Sequence, residues 1–261
     1  MTTGFTDETR RFLRLLWAIT GRDIRARYRR TILGPLWAIL QPLMLMVVFT
    51  ALSGVLDIPS DNIPYVIFSY SALTPWTFFA NSVSRCGPSI ISNASIIKKT
   101  PVSRELFPMV AVTTAGFDTL MAGIILAVMM VWYQVSVDLS LVFWLPVLTL
   151  LTAVFALGVG MFFAALGVYK RDLLQVNAFV LQLWIYATPV IYPLSEVPDK
   201  WQALYKLNPM VGLLEGFRSV LARGETPDVS LLLWGLPVNG LVLLIAWPLF
   251  RYTSRYFADV L

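Results

Sequence analysis

The sequence predicts an all-α integral membrane protein: six transmembrane helices, an N-terminal amphipathic interface helix and short re-entrant helices before the last span. Three observations carry this expectation. Five stretches, 31–56, 62–84, 139–169, 173–195 and 229–250, contain no Asp, Glu, Lys or Arg. At about 1.5 Å rise per residue each can cross a hydrocarbon core about 30 Å thick. A sixth, 106–137, is apolar except for Asp118. Charged residues make up only 13% of the chain and hydrophobic ones 57%, where a soluble domain carries roughly a quarter charged residues. The 261 residues therefore read as one membrane domain with short tails.

The first element covers about 8–30. On a helix Arg11, Arg14, Arg22, Arg25 and Arg29 fall within an arc of about 80°, with Phe12, Leu15, Leu16, Trp17, Ile19 and Ile24 over much of the rest. That pattern predicts a basic amphipathic helix lying on the cytoplasmic membrane surface; the same arginines also serve simple topology control. Asp23, Arg27 and Arg30 interrupt the apolar face, so the helix either bends near Gly21 or contacts protein as well as lipid. The longest uncharged run in this segment is 15–21, too short for a cleavable signal, and the first span is expected to insert uncleaved.

The spans are drawn at about 31–56, 62–84, 107–135, 140–168, 173–195 and 229–250. Short basic loops resist translocation, and with these spans one side collects 16 of the 20 Lys and Arg residues. Both termini are thus expected in the cytoplasm. Between the second and third spans, Ile96 and Ile97 adjoin Lys98 and Lys99. A short helix at about 89–99 either presents the isoleucines to a partner protein or rests on the headgroups. In the fourth span Ala156, Gly160 and Ala164 recur every four residues, a pattern for close helix packing. The segment 196–228 holds Asn208 and Pro209, suited to a helix start, then an apolar stripe of Met210, Val211, Leu213, Leu214, Phe217, Val220 and Leu221. Too short to cross and too apolar to float, this outer segment is expected to dip into the outer leaflet or pack on a pore mouth.

Chemistry is sparse. There is no GxxxxGK[ST], HExxH or GxSxG run; the chain has no His, and its single Cys86 permits no internal disulfide, so neither a metal site nor a catalytic centre is expected. Asp118 is the one ionisable residue clearly inside a span. It is either a polar point on a conduit or proton path, or one end of a helix-to-helix hydrogen bond, with Thr114 one turn earlier as a donor. Trp76, Phe78, Phe79, Trp184, Tyr186 and Tyr192 are channel candidates, since flat rings suit the apolar faces of sugars; interfacial belts and packing account for them equally. A membrane-embedded glycosyl or phosphate transferase would have only Asp118 and the arginine run to work with.

Five separated motifs, DIRARYRRTILGPLWAILQP at 23–42, PWTFFANSVSR at 75–85, YKRDL at 169–173, ATPVIYP at 187–193 and NP at 208–209, resemble the permease subunit of polysaccharide ABC exporters, of the ABC-2 type. Their order and spacing are most similar to O-antigen exporter permeases; capsule and teichoic acid exporters, and ABC permeases for drugs or lipids, stay as alternatives. The resemblance implies a homodimer forming one channel in the bacterial inner membrane and two copies of a separate cytoplasmic ATPase, which would hold the ATP and Mg; no cofactor is implied in this chain. It implies that about 89–99 is the coupling helix, that the N-terminal segment is an interface or gate helix, and that 196–228 forms re-entrant gate helices. The implied substrate is a polysaccharide on a polyprenyl diphosphate, moving among membrane lipid; no nucleic-acid partner is expected. The cluster Arg22, Arg25, Arg27, Arg29 and Arg30 is then a place for the diphosphate to be met by charge-assisted hydrogen bonds, with topology control the alternative.

Overall fold

The protein is described here by a computed structural model covering residues 2–29, 31–61, 63–136 and 138–261, and every regular element among them is helical. In order these are α1 (Thr2–Tyr28), α2 (Leu36–Leu56), α3 (Tyr65–Ser92), α4 (Ala94–Lys99), α5 (Leu106–Trp132), α6 (Trp144–Gly167), α7 (Asp172–Trp184), α8 (Asp199–Lys206), α9 (Pro209–Arg218), α10 (Val229–Ser254) and α11 (Phe257–Val260). Short 3-10 turns at Leu139–Leu141 and Leu194–Glu196 and a π-turn at Ser219–Arg223 connect them. Four stretches are long and apolar enough to cross a membrane: Leu36–Leu56, Leu106–Trp132, Leu139–Gly167 and Val229–Ser254. Each falls on an uncharged run of the sequence or on the Asp118 run.

α3 is the central helix, flanked chiefly by α5 and α6 and also by α2, α7 and α9. From Ile67 to Phe79 every residue is buried, so no face meets lipid. Several of its hydroxyls bond its own backbone: Ser71 donates to Phe68 O (3.0 Å), Thr74 to Tyr70 O (2.9 Å) and Thr77 to Thr74 O (3.0 Å). Such back-bonding lets a polar helix sit in a dry interior. The small-residue stripe on α6 does what its spacing predicts: Ala156, Gly160 and Ala164 are fully or almost fully buried, and a Cβ on Gly160 would stand 2.5 Å from Cys86 Cβ. Two helices that close gain packing, which must hold a membrane interior together because lipid is as apolar as Leu.

Three expected boundaries differ. The coupling segment at 89–99 is divided, because α3 continues through Gly87 and Pro88 to Ser92 and only Ala94–Lys99 forms α4. Packing overrides the turn signal: a Cβ on Gly87 would meet Leu174 Cδ2 at 2.9 Å, and Asn177 Nδ2 donates to Val83 O (3.4 Å) beside the proline. The expected fifth span at 173–195 is helical only to Trp184, a length of about 20 Å. Turns follow, and their carbonyls are taken by distant side chains: Ala187 O by Asn208 (3.1 Å), Pro189 O by Arg218 (2.6 Å) and Ile191 O by Tyr65 (2.8 Å). Irregular backbone at membrane depth persists only when it is satisfied in this way.

The third difference is α1, which runs unbroken through Gly21 and packs lengthwise beside α5 in the same direction. Leu16 packs with Leu106 and Val110 at the start of α5, while Tyr28 packs on Phe117 (ring centroids 6.4 Å apart) and bonds Asp118. Asp118 lies about 18 Å along α5 from Leu106. The alternation of helices leaves two ends: α4, the α6–α7 turn and α11 gather at one, and the α2–α3 and α5–α6 connections with 185–228 at the other.

Candidate functional site

The predicted arginine cluster, on the last two turns of α1, divides in two. Arg22, Arg25 and Arg29 are exposed, and with Ala26 and Tyr28 the first two and Arg29 line an open groove of about 750 Å³. Arg22 pairs with Asp23 (2.8 Å) and donates through Nη2 to Asn93 Oδ1 (3.0 Å), the residue that precedes α4. Arg25 Nε donates to Gly21 O (3.0 Å). Arg27 points the other way, into the protein. Arg30 lies outside the described residues.

Arg27 reaches Asp118, which is only 6% exposed on α5. Three donors converge on that carboxylate: Arg27 Nη1 (2.8 Å) and Arg85 Nη2 (2.6 Å) on Oδ2, and the Tyr28 hydroxyl (2.5 Å) on Oδ1. Thr114, the partner expected from one-turn spacing, instead donates to Val110 O (2.7 Å). Within this chain Asp118 joins α1 and α3 to α5, through partners other than the Thr114 expected from spacing.

The isoleucine pair of α4 is also corrected. Ile97 is 8% exposed and belongs to the protein's own core with Ile90, Phe107, Phe250 and Phe257, and Ile96 packs against the same cluster. Ile97 faces inward, and Ile96 is half-buried at the edge of the same cluster. A six-residue helix is marginal alone, and Ile97 is the anchor that holds it. The exposed side of α4 carries Ser95, Lys98 and Lys99.

Of the channel candidates, Trp76, Phe78 and Phe79 are buried. Phe79 stacks on Phe155 (centroids 5.1 Å, 9°) and meets Trp184 edge-on (5.3 Å, 82°) at the contact of α3, α6 and α7, Phe78 packs with Ala111 and Ala115 of α5, and Trp184 and Phe155 also line a cavity of about 510 Å³ with Trp201 and Tyr205. Tyr186 is exposed. Tyr192 donates to Tyr186 O (2.8 Å) and shares a hydrogen bond with Tyr205 (2.8 Å); burial, then that bond, push the Tyr205 phenol up.

The far end holds a charged network that the sequence reading counted only as loop charge. Arg218 is 0% exposed, lies over the Phe68 ring (3.7 Å to its centroid), bonds Glu215 and donates to Pro189 O. Glu215 also takes Arg223 (3.1 Å), which pairs with Asp61 (2.6 Å) in the α2–α3 connection. One chain of charges therefore fastens three segments: the α2–α3 connection, the turns after α7 and the α9–π-turn unit. The available signal was a Glu and an Arg three apart inside an otherwise apolar stripe, a spacing that puts both on one helix face. Among the described residues no three His, Cys, Asp or Glu side chains come together as metal ligands.

Comparison with known proteins agrees with the all-helical membrane architecture. Residues 14–222 match the family model described as ABC-2 type transporter. An O-antigen export system permease protein of Klebsiella pneumoniae is 28% identical over 251 residues, 95% of each chain. One of Myxococcus xanthus is 30% identical over 249 residues, 94% of each, and a polysialic acid transport protein of Escherichia coli is 25% identical over 243 residues, 90% of this chain and 89% of that one. A family match over so much of the chain, spanning both the arginine helix and the charged network, leaves one assignment: the protein belongs to the ABC-2 type transporter family.

Proposed function

We propose that the chain is the membrane subunit of an ATP-driven exporter that moves a lipid-linked polysaccharide of the O-antigen kind from the cytoplasmic side across the bacterial inner membrane. The observation that carries this is near full-length similarity to permeases whose names specify O-antigen export. A capsule-type polymer is the second reading, favoured by the polysialic acid transporter at lower identity. Two copies would form one channel above two copies of a separate ATPase, which would bring the ATP and Mg. Six crossings per chain follow if α3 crosses as the central helix and α7 serves the inner half, with 185–228 completing the outer half as a re-entrant gate. The bias of Lys and Arg to the α4 end supports placing that end, and both termini, in the cytoplasm.

On this reading the exposed Arg22, Arg25 and Arg29 face meets the lipid diphosphate with charge-assisted bonds, and the Lys98 and Lys99 side of α4 meets the ATPase. The test is export of polymer to the surface of cells lacking the native chain and supplied with variants. Arg25→Gln with Arg29→Gln leaves Arg27 on Asp118 undisturbed, so membrane level and orientation should persist while export falls at least about tenfold, as losing two charge-assisted bonds implies. The double Lys variant keeps charge without the planar fork and should fall between. Full export by the Gln variant would leave these arginines as topology signals, and no dependence of surface polymer on the chain at all would end the export reading.

A further inference from the structure

We propose that Asp118 is the positioning residue that sets where the arginine face of α1 stands, by clasping Arg27 and Tyr28 against α5 and α3. The described contacts of α1 with the rest of the molecule include three that bear on its position. Its apolar side, through Leu16 with Phe12, Leu15 and Ile19, packs on Leu106 and Val110; Arg22 reaches Asn93 at the start of α4; and its last turn is held by Asp118. The apolar contact fixes little, because apolar side chains exchange one another for lipid at small cost. The carboxylate is different. Away from α1, the buried Asp118 would keep Arg85 alone and lose two of its three donors, a costly state for a carboxylate out of water.

The geometry of the clasp determines its consequence. Arg27 and Tyr28 are adjacent, and both bond one carboxylate through separate oxygens, so the rotation of α1 about its own axis is fixed as well as its position. Arg25 and Arg29, two residues to either side of Arg27, lie about 160° away from it at 100° per residue. Holding Arg27 inward therefore holds Arg25 and Arg29 outward. Arg85 braces the same oxygen from α3 (2.6 Å), and its Nη1 atom is buried without a partner; Asp118 is thus the sole acid serving two guanidiniums at this point among the described contacts. An Asn at position 118 keeps the shape and loses the charge that both need.

α1 carries its own reporter, since Arg22, Arg25 and Arg29 are trypsin sites. A docked helix resists cleavage, and one that opens locally is cut in proportion to its open population. In the purified complex with the ATPase, Asp118→Asn should raise cleavage after Arg25 and Arg29 at least about tenfold, read by mass spectrometry, with cleavage after Lys200 and Lys206 unchanged. Asp118→Glu, which keeps the charge, should stay near the parent rate. Should Asp118→Asn fail to assemble, Arg27→Gln combined with Tyr28→Phe removes both donors from α1 and leaves Asp118 on Arg85; the same rise is expected. Unchanged cleavage after Arg25 and Arg29 in that double variant, or a rise equal at Lys200 and Lys206, overturns the proposal. The export role rests on the diphosphate reading above and fails separately: faster cleavage with normal export supports the positioning and removes the recognition role.

Discussion

Glu215→Leu will be the most destabilising single substitution among the charged residues of the far end, at about 3–5 kcal/mol, the cost of stranding a buried charge. Arg218 has no exposure, and among the described residues Glu215 is the carboxylate in direct contact with it. Without Glu215 it keeps the Pro189 carbonyl and the face of Phe68, neither of which neutralises it. Glu215→Gln retains an acceptor and should cost less. Asp61→Asn should cost under about 1 kcal/mol, because the Asp61–Arg223 pair is partly solvated and such pairs are weak. The measurement is the temperature at which half of the purified protein loses its monodisperse elution peak after a fixed heating time. A Glu215→Leu midpoint equal to that of Asp61→Asn would show that Arg218 is not held by charge.

The second large effect separates folding from partner docking at α4. Ile97→Asp places a carboxylate among Ile90, Phe107, Phe250 and Phe257, where an unpaired charge costs several kcal/mol. The chain itself should then be lost from the membrane, with or without the ATPase. Lys98→Glu with Lys99→Glu changes only exposed side chains, so the chain should reach the membrane at its normal level and fail to co-purify with the ATPase. Should Ile97→Asp instead accumulate normally and lose only the ATPase, the anchor and the docking face have been exchanged, and Ile97 faces outward in the assembled complex.

Much of this architecture is legible in the sequence because crossing a bilayer demands uncharged length. The runs that became α2, α5, α6 and α10 needed no tertiary knowledge, and the Ala156, Gly160, Ala164 stripe named its use through spacing alone. What failed was information that spacing does not carry. The partners of Asp118 are Arg27, Tyr28 and Arg85, far away in the chain, whereas one-turn reasoning finds only Thr114, whose hydroxyl is spent on Val110 O. Ile96 and Ile97 read as an outward pair because nothing local announces that Phe250 and Phe257 return to cover them. α7 ends early because Tyr65, Asn208 and Arg218 supply bonds that make the break tolerable, and each belongs to another element.

The polar central helix has a consequence for how the protein enters a membrane. α3 is not among the four stretches apolar enough to cross on their own account, and Arg85 adds to its insertion about 2.5–3.5 kcal/mol if it sits at mid-bilayer. Its compensation is Asp118, which is synthesised later, on α5. If α3 crosses, it would then depend on its neighbours during translation, with α2 as the other arm of a hairpin and α5 supplying the counter-charge. Chains halted before Asp118 should leave a glycosylation tag after α3 on both sides of the membrane, and chains halted beyond α5 on one side; a single-sided tag in both would mean that α3 inserts unaided. A tag on both sides before Asp118 and on one side beyond α5 would make this late-arriving carboxylate an assembly checkpoint for the central helix.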